Sequence, residues 1–206
     1  MPTDLYLIRH GQTEANHARI WQGYRDWPLT ELGWAQARAV AVRLARQGVT
    51  GLYSSDLGRA LQTATVVAAA TDLPITPHAG LRERSLGLFE GLSSAEIEAR
   101  YPELWQRFRS GDPEFAIPGG ESARQRLEQV LACLQEIVAA HAGQRVAVIT
   151  HGGVLYNFFR HILGIPAATP GHFGVRNCTL NHFQHDETGW TLVTWGDGGH
   201  LEGLEA

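Results

Sequence analysis

The stretch Asp4-Leu5-Tyr6-Leu7-Ile8-Arg9-His10-Gly11-Gln12-Thr13-Glu14-Ala15-Asn16 decides the fold. Its first half is a short apolar run rich in Leu, Ile and Tyr, which predicts a buried strand of a parallel sheet. The run stops abruptly at Arg9, His10 and a glycine. In open α/β sheets the ligand crevice lies at the carboxyl ends of the strands. Arg9 and His10 are therefore expected in that crevice on a rigid element, with Gly11 letting the backbone approach a ligand. Thr13 and Asn16 fall on the following turn, with side chains able to bond an anion. In most chains an Arg-His pair at a strand end is only a polar terminus, but the full run Arg-His-Gly-x-Thr-x-x-Asn is long enough to argue for a site.

Composition narrows the possibilities. With 206 residues, the chain suits one well-buried core, and 44% hydrophobic residues, 18% charged residues and six Trp describe a folded protein rather than a disordered one. A net charge of −4 argues against nucleic acid or an anionic membrane as the main partner, since both are held by an excess of basic residues. All 17 basic residues are Arg, which excludes P-loop nucleotide binding, Schiff-base catalysis and lysine-dependent phosphatase mechanisms together. Cys133 and Cys178 form no Cys-x-x-Cys pair, and neither is followed by an Arg at the spacing of a cysteine phosphatase loop, so both read as reduced, structural thiols. Met1 to Asp4 run straight into a strand with no basic leader and no apolar segment of membrane length, so a cytoplasmic location is expected.

Working outward, Thr30 predicts a helix N-cap, Ala35 to Leu44 a helical stripe and Gly48 its end. Gly51 to Ser54 reads as a second strand that leads into a helix with Arg59 on its first turn. A cation is unfavourable there, so a compensating anion is expected beside it. Leu73 to Pro77 reads as a third strand. The segment from Ser85 to Ser122 then breaks the strand-helix alternation. It carries a capping box at Ser93-Ser94-Ala95-Glu96, a second helix from Pro102 to Arg109 and a Pro/Gly-rich loop, and it reads as a lid insertion over the sheet edge. From Glu121 to His141 the apolar residues repeat with helical spacing, and Cys133 within them is assigned to packing. Arg145 to Thr150 is the clearest buried strand, and it ends in His151-Gly152-Gly153 before a helix from Val154 to Leu163. Two histidines at two strand ends suggest one crevice. Cys178 to Phe183 and Trp190 to Trp195 alternate across the turn at Asp186 to Gly189 and predict an edge hairpin. The tail from Gly196 to Ala206 is glycine-rich and acidic, and its His200 is expected to be solvated rather than to close over a pocket. The fold class is thus α/β, a three-layer sandwich in one domain, with a mainly parallel sheet flanked by helices and an antiparallel edge.

Arg9-His10-Gly11-Gln12-Thr13-Glu14-Ala15-Asn16 resembles the signature of the histidine phosphatases, the superfamily that includes cofactor-dependent phosphoglycerate mutases and broad-specificity acid phosphatases. Arg59-Ala60-x-x-Thr63 resembles the family's second block, Glu83 before Gly87-x-x-Glu90-Gly91 its third, and His151-Gly152 its fourth. The blocks occur in family order over nearly the whole chain. The resemblance implies that His10 attacks phosphorus and becomes phosphohistidine, and that Arg9, Arg59 and His151 bind the phosphoryl oxygens. It further implies that Asn16 and Gln22 complete the cradle, with Thr13 and Gly152 beside them, and that Glu83 protonates the leaving group, with Glu90 an outside candidate. Ala15 is smaller than the aromatic residue often found in that block. His10, His151 and Glu83 could also be read as a two-histidine, one-carboxylate metal triad, but Arg9 and Arg59 would raise the electrostatic cost of a dication and are what phosphoryl transfer requires.

The expected activity is therefore a metal-independent phosphomonoester hydrolase that needs no cofactor and acts on a small-molecule phosphomonoester. A mutase would need a second cationic subsite and a closed lid. Family mutases carry a longer insertion and a His-Tyr-Gly after the acid block, where this chain has Arg84-Ser85-Leu86-Gly87 and, later, the phosphatase-like Pro118-Gly119-Gly120-Glu121-Ser122. Arg107 and Arg109 keep the mutase as the alternative, followed by a phosphate-binding module without turnover. Trp105, Phe108 and Phe115 suggest a partly apolar roof.

Overall fold

The computed structural model describes residues 1–166, 169 and 173–204, so Glu205 and Ala206 of the acidic tail lie outside the described residues. Strand β1 (Thr3–Arg9) pairs in parallel with β4 (Arg145–Thr150), and Arg9 stands opposite Thr150. The parallel ladder continues outward through β2 (Gly51–Ser54) to β3 (Ile75–Pro77). On the other side of β1 lie β5 (Leu180–Asp186) and β6 (Gly189–Asp197), both antiparallel to their neighbours, so the order is β3-β2-β4-β1-β5-β6. This is the mainly parallel sheet with an antiparallel edge that the sequence predicts.

Both faces of β1 are covered, which explains its continuous apolar run. Tyr6 and Ile8 pack with Val40, Ala41 and Leu44 of α2 (Glu31–Gln47) and with Ala60, Ala64 and Val67 of α3 (Gly58–Thr71). Leu5 and Leu7, on the opposite face, pack with Val130, Leu134 and Ile137 of a long helix (Ala123–Ala140) and with Leu155 and Phe158 of the helix after β4 (Gly152–Ile162). The alternation of side chains along a strand therefore assigns each residue to one layer or the other.

Local chemistry sets the element ends. Thr30 caps α2 by accepting the Gly33 amide, and Gly48 closes it at φ 66°. The third strand starts at Ile75 rather than Leu73, because α3 ends on Asp72 at φ 55° and Pro74 has no N–H to give a ladder. The long helix starts at Ala123 rather than Glu121, since Ser122 forms a capping box with Gln125. Between β3 and that helix lie a 3-10 turn (Gly87–Phe89) and two short helices, α4 (Ser94–Arg100) and α5 (Pro102–Arg109), the latter with Pro102 at its first turn as expected. They share a third cluster built on Phe89, Ile97, Trp105, Phe115 and Ile117. The long helix over Ala123–Ala140 is α6, the helix after β4 over Gly152–Ile162 is α7, and the four-residue α1 spans Glu14–His17. Among the described residues, no helix is long and apolar enough to cross a membrane.

Candidate active site

The parallel register of β1 and β4 sets the site. Because Arg9 lies opposite Thr150, the next residue on each strand emerges at the same edge, and the His10 amide donates to Thr150 O (3.0 Å). The rings of His10 and His151 lie 5.2 Å apart. His10 is 2% exposed and its Nδ1 is 2.8 Å from the Gly11 carbonyl. A carbonyl only accepts, so Nδ1 carries the proton and Nε2 keeps its lone pair. Burial, then the charges of Arg59 and Arg9, hold His10 well below the ordinary histidine value, so the ring is neutral at pH 7. Gly11 is required for packing here: a Cβ would sit 2.5 Å from Gly33 O at the start of α2.

The two arginines are held by backbone. Arg9 Nη1 donates to Val175 O (2.6 Å). Arg59 is 1% exposed, and it donates through Nη2 to Gly23 O (2.8 Å) and through Nη1 to Arg25 O (3.0 Å) and Asp26 Oδ1 (2.8 Å). Asp26 also accepts the Gly58 amide (2.6 Å), so its carboxylate caps α3 and offsets the cation at that helix start. The anion expected beside Arg59 is thus partly supplied by the protein itself. The buried side-chain atoms without a partner among the described residues include Nε of both arginines, His151 Nδ1 and Gln22 Oε1. Such groups are costly to bury unpaired, and together they define a polar cradle around His10.

Glu83 arrives from the loop after β3 and caps α7. Its Oε2 accepts the Gly153 amide and its Oε1 the Arg84 amide, each at 2.9 Å. A side chain at Gly153 would put its Cβ 2.3 Å from Glu83 Oε1, so the carboxylate approaches this helix start only because a glycine stands there. Two buried-edge partners bracket the Glu83 backbone. Arg126 pairs with Glu121 (3.0 Å) and donates to Arg82 O (3.4 Å), while Glu121 accepts the Ser85 amide (2.8 Å).

A cavity of about 1140 Å³ opens over these groups. Arg9, His10, Asn16, Gln22, Arg59, Glu83 and Gly152 all line it. Thr13 and His151, each 0% exposed, do not line it. Thr13 lies beneath as the N-cap of α1, where it accepts the Asn16 amide (3.1 Å). His151 backs His10 and bonds Ser55 Oγ through Nε2 (2.8 Å). Glu90 is a strut that accepts the Tyr24 and Leu86 amides. His200 bonds Cys178 O (2.8 Å) and faces no part of the cavity. Phe108, Phe115 and Arg109 line the outer part, whereas Trp105 is packed behind them and Arg107 sits over the Phe115 ring. Sequence reasoning did not find Asn177, which donates to His10 O (2.8 Å) and Asn16 Oδ1 (3.2 Å). Asn16 Oδ1 also accepts the Thr13 amide (3.2 Å), and Asn16 lines the cavity. Among the described residues, no three His, Cys, Asp or Glu side chains are grouped to hold a metal ion, so His10, His151 and Glu83 do not assemble into the triad considered from sequence.

The chain belongs to the histidine phosphatase superfamily (branch 1), whose family model matches residues 5–198. It is 34% identical over 203 residues to a protein named probable phosphoglycerate mutase GpmB from Yersinia pestis, covering 96% of this chain and 94% of that one. Among solved structures, YhfR of Bacillus stearothermophilus is 32% identical with a TM-score of 0.89, covering 97% of this chain and all of the other (100%). A mycobacterial glucosyl-3-phosphoglycerate phosphatase in complex with VO3 is 31% identical with a TM-score of 0.83, covering 95% and 99% of the two chains. A phosphoserine phosphatase from Entamoeba histolytica, a mutant in complex with phosphoserine, is 26% identical with a TM-score of 0.86, covering 97% and 99%. The relatives' names thus include phosphatases and a mutase.

Proposed function

We propose that the protein is a metal-independent phosphomonoester hydrolase acting through a phosphohistidine on small phosphorylated metabolites. The observation that carries this reading is the state of His10: buried, neutral, with Nδ1 tied to Gly11 O and the charges of Arg59 and Arg9 acting on the ring. That is a preorganised nucleophile in a field suited to a phosphoryl group. The His10 Nε2 lone pair attacks phosphorus while the bond to the ester oxygen breaks. Glu83 serves as the acid that supplies a proton to the departing oxygen. Arg9, Arg59, Asn16, Gln22 and the His151 ring neutralise or bond the non-bridging oxygens, with Gly152 at the helix start beside them. Water then attacks the phosphohistidine, Glu83 takes its proton, and phosphate leaves with His10 restored. Thr13 supports this cradle through its cap on the turn that carries Asn16. In the same reading the chain is one domain, and residues 85–122 are its lid.

A second reading, the phosphoglycerate mutase, is favoured by the name of the Yersinia relative and by Arg109 in the outer cavity. The compact roof segment and Arg84-Ser85-Leu86-Gly87 after the acid support the hydrolase. The test supplies 3-phosphoglycerate with a trace of 2,3-bisphosphoglycerate and follows 2-phosphoglycerate and free phosphate together. The hydrolase releases phosphate faster than isomer; isomer forming much faster than phosphate would overturn the assignment. A phosphomonoester panel that includes p-nitrophenyl phosphate ranks the substrates, and silence across it would favour a binding module. Glu83→Gln is expected to slow the first step by about 10²- to 10⁴-fold while phosphate still binds.

A further inference from the structure

His151 is buried and neutral, and a neutral imidazole carries one proton on either of two nitrogens. Which nitrogen carries it decides whether the ring can donate to a phosphoryl oxygen. Ser55 is the residue that follows β2, its amide is bonded to Ile149 O (2.9 Å) of neighbouring β4, and its side chain is 0% exposed. Its Oγ accepts the Leu57 amide (3.3 Å) and lies 2.8 Å from His151 Nε2. The hydroxyl hydrogen therefore needs an acceptor in a site without solvent, and His151 Nε2 is the one the described residues provide.

We infer that Ser55 is a positioning residue that donates its hydroxyl hydrogen to His151 Nε2 and so keeps the ring proton on Nδ1. The opposite tautomer would leave the Ser55 O–H buried without an acceptor, at a cost of the kind that selects against it. It would also leave a lone pair, rather than an N–H, on Nδ1, the ring nitrogen without a partner among the described residues. The two ring nitrogens diverge, so with Nε2 committed to Ser55, Nδ1 points away from it. Nδ1 is also the buried side-chain nitrogen of this ring that has no partner among the described residues, and the His10 ring lies 5.2 Å away. A neutral donor at this point adds a hydrogen bond to the phosphoryl oxygens without a further charge beside Arg9 and Arg59. Ser55 thus acts through another residue and never touches the ester itself. The same logic of a partner fixing a tautomer already holds for His10, but with the acceptor and donor roles reversed.

This inference rests on the proposed hydrolase reading for its kinetic consequence but not for its direct test. Isotope-labelled histidine ring nitrogens are read by heteronuclear NMR in the whole protein at neutral pH, free and with inorganic phosphate. His151 is expected as the Nδ1–H tautomer in both states. An Nε2–H tautomer in the free protein overturns the inference whatever the activity turns out to be. In Ser55→Ala the proton is expected to redistribute toward Nε2, with kcat/KM for a phosphomonoester falling about 100-fold, as for loss of one preorganised donor. Ser55→Thr, which keeps the hydroxyl, should restore the wild-type tautomer and most of the rate. A Ser55→Ala variant with an unchanged His151 tautomer would also contradict the assignment. If the wild-type protein has the expected tautomer yet hydrolyses no ester on the panel, the functional reading fails and the tautomer assignment stands.

Discussion

The floor and the roof of the cavity are built in different ways. On the floor, His10, Arg9 and Glu83 are each held by backbone groups, with the Gly11, Val175, Arg84 and Gly153 peptides as partners. In the roof, α4 and α5 have only seven and eight residues, and α5 packs by ring contacts of Phe108: with Trp21 of the loop after α1 at 5.4 Å, with Phe89 at 5.8 Å and with Trp105 of the same helix at 5.7 Å. Backbone partners fix position to within a hydrogen bond's tolerance, whereas apolar contacts constrain volume and leave orientation freer.

Removing the nucleophile breaks this comparison most severely. His10→Ala is expected to reduce turnover of p-nitrophenyl phosphate by about 10⁴-fold or more, measured at saturating substrate. Asp26→Ala tests a floor group that acts from the loop before α2. Loss of the charge-assisted bond to Arg59 should lower kcat/KM by roughly 10- to 100-fold, with affinity for phosphate falling in parallel. Phe108→Ala touches only the roof. It should change the rate for p-nitrophenyl phosphate by no more than about threefold while reordering kcat/KM across a panel of larger esters, because lost apolar contact alters the fit of the leaving group. An equal loss on all substrates would mean that roof and floor are not separable.

The smallest effect is on stability and pH. Burial and neighbouring arginines depress the folded-state values of His10 and His151 below their unfolded value. The unfolded chain therefore binds more protons as pH falls, and folding stability is full above about pH 6.5 and declines below it toward the folded values. Thermal unfolding followed from pH 8 to 5 should show this decline, and His151→Asn should flatten it. A decline of the same slope in the variant would mean that other groups carry it.

Much of the floor is legible in the sequence because it follows from local pattern. The apolar runs before Arg9 and His151 announce strands, and parallel pairing of two such strands brings their ends together. The residues that hold the functional groups in place are not legible in this way. Asp26 reaches Arg59 across 33 positions, Ser55 reaches His151 across 96, and Asn177 reaches His10 across 167. Each is a small polar residue in a loop or at a strand end, where its type is equally suited to a turn or a cap. Glu90 shows the reverse difficulty: an acidic residue near a family block reads as a possible acid, but its acceptor oxygen is taken up by the Tyr24 and Leu86 amides. Arg59 reads in the sequence as a cation awaiting an anion, and part of that compensation comes from Asp26.

The most direct test of the account is to follow the phosphoryl group itself. The protein is mixed with a phosphate-labelled ester, quenched at alkaline pH before one turnover is complete, and mapped by peptide mass spectrometry. The account predicts a phosphoryl group on the imidazole of His10 that appears before free phosphate and decays as phosphate forms. Free phosphate formed at the full rate with His10 unmodified, or the label on any other residue, would contradict it.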